Sequence, residues 1–300
     1  MIKQYKVGGH SYRIHFIDNI NNDSLLQSSK PFETELDDNE PLLFEMFVDD
    51  AFRPAEHGEE IGNFDSGGNS NWVFVRKDGS YEIRISDVRK RQCCLMDASP
   101  DFKTVKIALN GNKAMRVFGI GNALMMTYAF AAADQDTVLI HASVVREKGY
   151  AYPFLGVSGT GKSTHTSNWL KYIPGTDLMN DDNPVIRIIE NKAVLFGSPW
   201  SGKTPCYRNI QAPIGAITQL KQAPHNLIRR ETVIEAFASI LPSCSIMKWD
   251  KRIYSGICDT VKLIIETVPT YYLENLPNEE AVVLSYNTIR VKSPSFDVTE

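Results

Sequence analysis

Residues 150–172 read YAYPFLGVSGTGKSTHTSNWLKY, and the division of that stretch into three parts decides the fold. The first part, AYPFL at 151–155, is short and apolar, as expected of a buried strand. The second, Gly156-Val157-Ser158-Gly159-Thr160-Gly161-Lys162-Ser163, satisfies G-x-x-x-x-G-K-[ST] at every required position. The third, 164–172, is predicted to be a helix beginning near Lys162. A strand that runs into a glycine loop and out into a helix is the α/β signature. Chance alone gives this pattern in about one sequence in a hundred of this length, and the strand and helix around it lower that further.

The chemistry of the loop follows from its residue types. Gly156, Gly159 and Gly161 permit backbone conformations that turn successive N–H groups inward, making a concave anion site. The helix contributes its positive end at the same point. Lys162 is expected to reach the outer phosphates of a nucleoside triphosphate, and the Ser163 hydroxyl to ligate Mg²⁺. Ser158, Thr160 and Thr164 complete the expected nucleotide-binding stretch.

Downstream of Lys162 comes Asn180-Asp181-Asp182-Asn183, between Leu178-Met179 and a β-run at 184–189. On their own these four residues are the composition of a polar turn. So close to a phosphate loop, adjacent carboxylates can divide two tasks, one orienting a metal and the other accepting the proton of an attacking hydroxyl. Residues 197–209 (GSPWSGKTPCYRN) form a second candidate segment. Lys203 or Arg208 is placed there to offer a cation to phosphate oxygens, and Trp200 to offer a stacking face, unless this is an ordinary surface loop.

Upstream, 137–145 (TVLIHASVV) reads as a β-branched run containing His141, and 121–133 (GNALMMTYAFAAA) as a buried helix. The first part of the chain is predicted to be an antiparallel β unit. Its strands fall at 11–18, 41–48, 72–76 and 81–85, with an Asp78-Gly79 hairpin turn and polar loops at 18–30 and 55–70. Arg229 and Arg230 are assigned to the solvated face of a helix at 230–241. The domain division is placed near residue 118, separating residues 1–118 from residues 119–300.

The order of a histidine-bearing strand (139–145), a hairpin into the glycine loop (154–164) and the Asp181-Asp182 pair resembles the C-terminal catalytic domain of HPr kinase/phosphorylase, in the superfamily of phosphoenolpyruvate carboxykinase. A strand at 269–274 (PTYYLE) and a Pro-started helix at 277–286 extend the resemblance over about 120–286. It implies an α/β P-loop kinase domain. The β-rich N-terminal domain ahead of it, 1–118, has no counterpart in those enzymes, and a role for it in presenting the acceptor is suggested by its adjacency alone. ATP and Mg²⁺ are the implied cofactors, with transfer to a hydroxyl of a peptide, small protein or small alcohol. Lys162, Asp181, Asp182 and His141 are the implied catalytic residues, and Ser163 and Asp182 the metal ligands, with the order of base and metal-associated acid within the Asp181-Asp182 pair left open. Val185–Ile189 and the residues after it depart from the Glu-Ile-Arg-Gly-type segment of the HPr-specific enzymes, which leaves the acceptor open. A non-catalytic ATP sensor and a carboxykinase-like metabolic enzyme stand as alternatives. Kinases of this type commonly form homo-oligomers, and that expectation comes with the resemblance.

Bulk properties exclude other classes. Hydrophobic residues make up 43% of the 300, enough for a sizeable core. Thirty-two basic against 36 acidic residues give a net charge of -4, which disfavours nucleic acid as a partner. No apolar run is long enough to span a membrane, no C-x-x-C pair occurs and no apolar leader core opens the chain, so a cytoplasmic protein with reduced thiols is expected.

Overall fold

Aromatic and β-branched runs, separated by Gly- and Asp-containing turns, build the first part of the chain into strands. They are β1 (Ile2–Val7), β2 (His10–Phe16), β3 (Glu33–Thr34), β4 (Leu42–Val48), β5 (Glu59–Ser66), β6 (Asn69–Val75), β7 (Tyr81–Ser86), β8 (Gln92–Ala98) and β9 (Thr104–Leu109). The structure is a computed structural model that describes residues 1–17, 22–66, 69–202 and 204–291. The nine strands form one sheet in the order β3-β1-β2-β4-β9-β8-β7-β6-β5. Helix α1 (Lys113–Ala131) packs on it, with the Asn112 side chain accepting from Met115 N at the helix start.

Contacts divide the chain into two units, Met1–Asp134 with Ile246–Tyr254, and Gln135–Ser245 with Ser255–Glu300. The boundary expected near residue 118 falls inside α1. That helix buries Ile120, Ala123, Leu124 and Tyr128, and Tyr128 Oη donates to Val7 O at 2.9 Å, so it belongs to the first unit. The return of Ile246–Tyr254 is anchored by Tyr81 Oη, which donates to Asp250 Oδ2 at 2.7 Å.

Two further expectations change in this unit. The sheet is mixed rather than antiparallel, since β2 with β4 and β4 with β9 pair in parallel. The polar stretch 55–70 is not all loop. It contains β5, whose position at the sheet edge leaves it little apolar surface to bury and hides it from a hydrophobicity reading.

In the second unit the elements are β10 (Thr137–Leu139), β11 (Ala142–Glu147), β12 (Tyr150–Leu155), α2 (Lys162–Tyr172), β13 (Asp177–Asp182), β14 (Val185–Ile189), β15 (Lys192–Phe196), β16 (Gln211–Pro213), β17 (Ile217–Gln222), β18 (Leu227–Arg230), α3 (Val233–Ile240), α4 (Lys251–Thr267), β19 (Thr270–Asn275) and α5 (Glu279–Ile289); the first four residues of α4 belong to the first unit. A six-stranded sheet runs β13-β11-β12-β17-β19-β18, and a four-stranded one β10-β14-β15-β16. Arg229 and Arg230 therefore lie on a strand, ahead of a helix capped by Thr232 and Glu235. Trp169 of α2 and Val282 of α5 share a buried cluster with Phe154, Leu220 and Leu273, so both helices cover one face of the larger sheet. Among the described residues no helix is long and apolar enough to cross a membrane.

The run 137–145 is two strands, not one. Ile140 bridges to Cys244 and His141 N donates to Ser243 O at 2.7 Å, which turns the chain from one sheet into the other at the histidine. The neighbouring segment, β13 into β14, makes the same passage after Asp182, because Leu139 pairs with Val185 while Ala142 pairs with Asp182. His141 and Asp182 thus meet at a bend in a shared ladder.

Candidate active site

The register of three strands assembles the site. Ala142 opposes Leu155 on one side and Asp182 on the other, so His141, the entry to the glycine loop and the acid pair reach the same edge of the sheet. Neighbouring strands are about 4.8 Å apart, which sets the width of the constellation. Asp181 and Asp182 are the last two residues of a strand, so the polar-turn alternative does not apply to them.

Gly156, Gly159 and Gly161 all hold a positive φ, so the loop calls for glycine at each. A Cβ on Gly156 meets Thr160 Oγ1 at 2.5 Å, and its φ of 148° is in glycine territory. Gly161, at φ 94°, is the residue from which α2 starts. The Thr160 hydroxyl donates to Val157 O inside the loop. Lys162 is only 9% exposed, and its ammonium donates to Gly156 O at 2.7 Å, across the mouth of the loop. Burial lowers the pKa of Lys162, against the pull of Asp182 and Asp181. Ser158, Ser163 and Thr164 are exposed.

The two acids have different partners. Asp181 is buried and accepts from the Ser163 hydroxyl at 3.0 Å. Asp182 lies 3.3 Å from His141 Nε2. Burial, then repulsion from Asp181, raises the Asp182 carboxyl to about 6. His141 moves the other way, since burial and then the Lys162 ammonium favour its neutral form. The two groups therefore face each other as a close contact in which the neutral imidazole is favoured, not as a formed ion pair. Sequence reasoning grouped Ser163 with Asp182 as metal ligands, whereas the structure sets Ser163 against Asp181.

Other residues support this edge without announcing themselves in the sequence. Asn180, fully buried, donates to Ser198 Oγ at 3.2 Å and accepts from Asp182 N at 3.1 Å. Ser198 donates to Asn183 O at 2.6 Å, and Gly202 N donates to Asp181 O at 2.6 Å. The segment after β15 is thereby laid against the end of β13 and fixes the backbone of both acids. Behind the loop, Ser143 Oγ is 2.9 Å from Thr166 Oγ1, joining β11 to α2. Gln222, at the end of β17, donates to Gly159 O at 3.0 Å.

Two expected residues are placed otherwise, and a third lies outside the described residues. Arg208 pairs with Asp177 at 2.8 Å and donates to Leu178 O, at the end of β13 away from the acid pair. Trp200 is 8% exposed and fills space rather than offering a stacking face. Lys203 lies outside the described residues.

The residues fit a divalent cation and a polyphosphate. Among the described residues the two carboxylates stand beside one ammonium, and burial, then repulsion between the acids, raises Asp182. A hydroxyl and a carboxylate 3.0 Å apart are hard oxygen donors suited to Mg²⁺, which takes few protein ligands and completes its shell with phosphate and water. Among the described residues no cluster of three or more His, Cys, Asp or Glu side chains offers a cage for a metal.

No family model matches the chain, and no curated protein matches it. Among solved structures it is similar to the Hpr(Ser) kinase/phosphatase from Coxiella burnetii, at 13% identity and a TM-score of 0.30, over 50% of this chain and 91% of that one.

Proposed function

We propose that the chain is an ATP- and Mg²⁺-dependent kinase that transfers a phosphoryl group to a hydroxyl, with a Ser or Thr of a peptide or small protein as the acceptor class. The observation that carries the reading is the division of labour between adjacent acids, Asp181 on the Ser163 hydroxyl and Asp182 on a neutral His141, beside the Lys162 loop.

In this reading the inward amides of the glycine loop and Lys162 hold the β- and γ-phosphates, Lys162 giving up its bond to Gly156 O. Ser163 and Asp181 would hold Mg²⁺, which when bound would supply charge neutralisation to the phosphates. Asp182 takes the acceptor hydroxyl's proton as its oxygen bonds to phosphorus and the β–γ bridging bond breaks. His141, with its Nε2 3.3 Å away, borders the carboxylate that receives the proton. With a pKa of about 6, Asp182 is ionised at pH 7 yet basic enough to accept a proton.

The test compares wild type with Asp182→Asn for Mg²⁺-dependent release of ADP, using water and pooled Ser/Thr peptides as acceptors, alongside ATP binding by calorimetry. The kinase reading requires turnover in the wild type and its loss in the variant with binding retained. ATP binding without turnover toward any acceptor would favour the sensor alternative.

A further inference from the structure

We infer that the nucleoside end of the triphosphate lies over the ends of β17 and β19, in contact with Gln222 and Asn275; this rests on the nucleotide reading above. Strands β12, β17 and β19 are parallel, and β13 runs the same way because it pairs antiparallel with β11, itself antiparallel to β12. Their carboxyl ends therefore share one edge, the usual place for a ligand on an open α/β sheet. Across that edge the order is the acid pair, His141, the glycine loop, Gln222 and then Asn275. At about 4.8 Å per strand, the acids and Asn275 lie about 10 Å to either side of the loop. The reacting phosphoryl faces Asp182, so the far end of the polyphosphate leaves the loop on the Gln222 side.

Two features there suit a nucleoside. Gln222 is exposed, already touches the loop through Gly159 O at 3.0 Å, and is in register with Asn275, which puts both side chains on one face. Leu220 and Leu273, two residues earlier on each strand, identify it as the face covered by α2 and α5. Asn275 is 8% exposed, and its amide N–H donates to Leu276 O at 3.1 Å. Its Oδ1 is a buried acceptor with no donor among the described residues. Such an orphan is costly and uncommon, and an exocyclic amine or a ribose hydroxyl supplies the missing donor. The surrounding loops are braced, with Asn226 Nδ2 donating to Asn278 Oδ1 at 3.1 Å and Leu276 N to Asn226 Oδ1 at 2.8 Å. Leu276, 36% exposed, offers the base an apolar surface.

The experiment measures Mg²⁺-dependent binding of ATP and of inorganic tripolyphosphate, by calorimetry, to wild type, Gln222→Ala and Asn275→Ser. Each variant is expected to weaken ATP about tenfold and to leave tripolyphosphate within about twofold of wild type. Equal losses for both ligands would mean that Gln222 only braces the loop, and unchanged ATP binding would mean no nucleoside contact; either overturns the inference. If Asn275→Ser fails to fold, the surface variant Gln222→Ala decides alone. A wild type that binds tripolyphosphate no better than it binds sulfate removes the nucleotide reading itself, and this inference with it.

Discussion

At its amino end β13 sets Asp177 between two guanidinium groups, Arg146 at 2.8 Å and Arg208 at 2.8 Å; at its carboxyl end it sets Asp181 and Asp182 near the ammonium of Lys162. Burial would raise the Asp177 carboxyl, but hydrogen bonds from Arg146 and Arg208 outweigh it and hold the group below its ordinary value. Asp182 has no guanidinium partner among the described residues, and burial, then its acidic neighbour, outweigh Lys162 and Asn183 and raise it to about 6. The same side chain on the same strand is a satisfied structural anion at one end and an under-neutralised, proton-accepting one at the other. Uncompensated charge at a sheet edge is where a ligand's charge belongs.

Substitutions at the two ends should therefore have opposite signatures. Asp182→Asn is expected to cut turnover by about 10²–10⁴ while Mg²⁺-ATP affinity stays within a few-fold, the range for loss of a general base; a small drop in turnover would erase the distinction between the ends. Lys162→Ala is expected to weaken ATP by about 10–100-fold in a titration, the worth of a hydrogen bond to a charged group. The pH dependence sharpens the contrast. Because Asp182 must be ionised to accept a proton, kcat/KM should fall about tenfold per unit below its apparent pKa of about 6. A profile flat from pH 5 to 8 would reassign the base.

Stability effects are smaller and of opposite sign. Asp177 has a folded-state pKa below its unfolded value, so its contribution is present above the unfolded value and lost as pH falls through the folded one. Asp177→Asn should cost about 1 kcal/mol in urea unfolding at pH 7, a modest figure for a partly exposed pair, and leave turnover unchanged. Asp182 is raised, so its contribution is complete below the unfolded value and is lost as pH rises through about 6. Asp182→Asn should stabilise the ligand-free protein at pH 8, by no more than about 1 kcal/mol because the carboxyl is partly solvated, and this gain should vanish near pH 4.

The sequence showed the loop, the helix behind it and the acid pair, because each is a local pattern with a local physical cause. It placed the helix start at Lys162 and the strand into Leu155 where the structure has them. The partners of the acids were not legible. Whether Ser163 faces Asp181 or Asp182 depends on the strand register between β11 and β13, a non-local quantity that flips with a one-residue slip. Arg208 looked available for phosphate because its loop is rich in Gly and Pro, but its pairing with Asp177 reaches back 31 positions. Strand β5 was invisible because an edge strand need not alternate. The return of Ile246–Tyr254 to the first unit leaves no compositional mark. Gln222 and Asn275 carry no motif; only the parallel register of β17 and β19 brings them together.

The central claim is that Ser163 and Asp181 form a metal-binding pair next to the Lys162 loop. It is tested most directly by titrating ATP with and without Mg²⁺ into wild type and Asp181→Asn. Wild type should bind ATP about tenfold or more tightly with Mg²⁺, and the variant should lose that gain while still binding ATP without metal. An equal Mg²⁺ effect in both proteins, or no binding of ATP to the wild type, would contradict it.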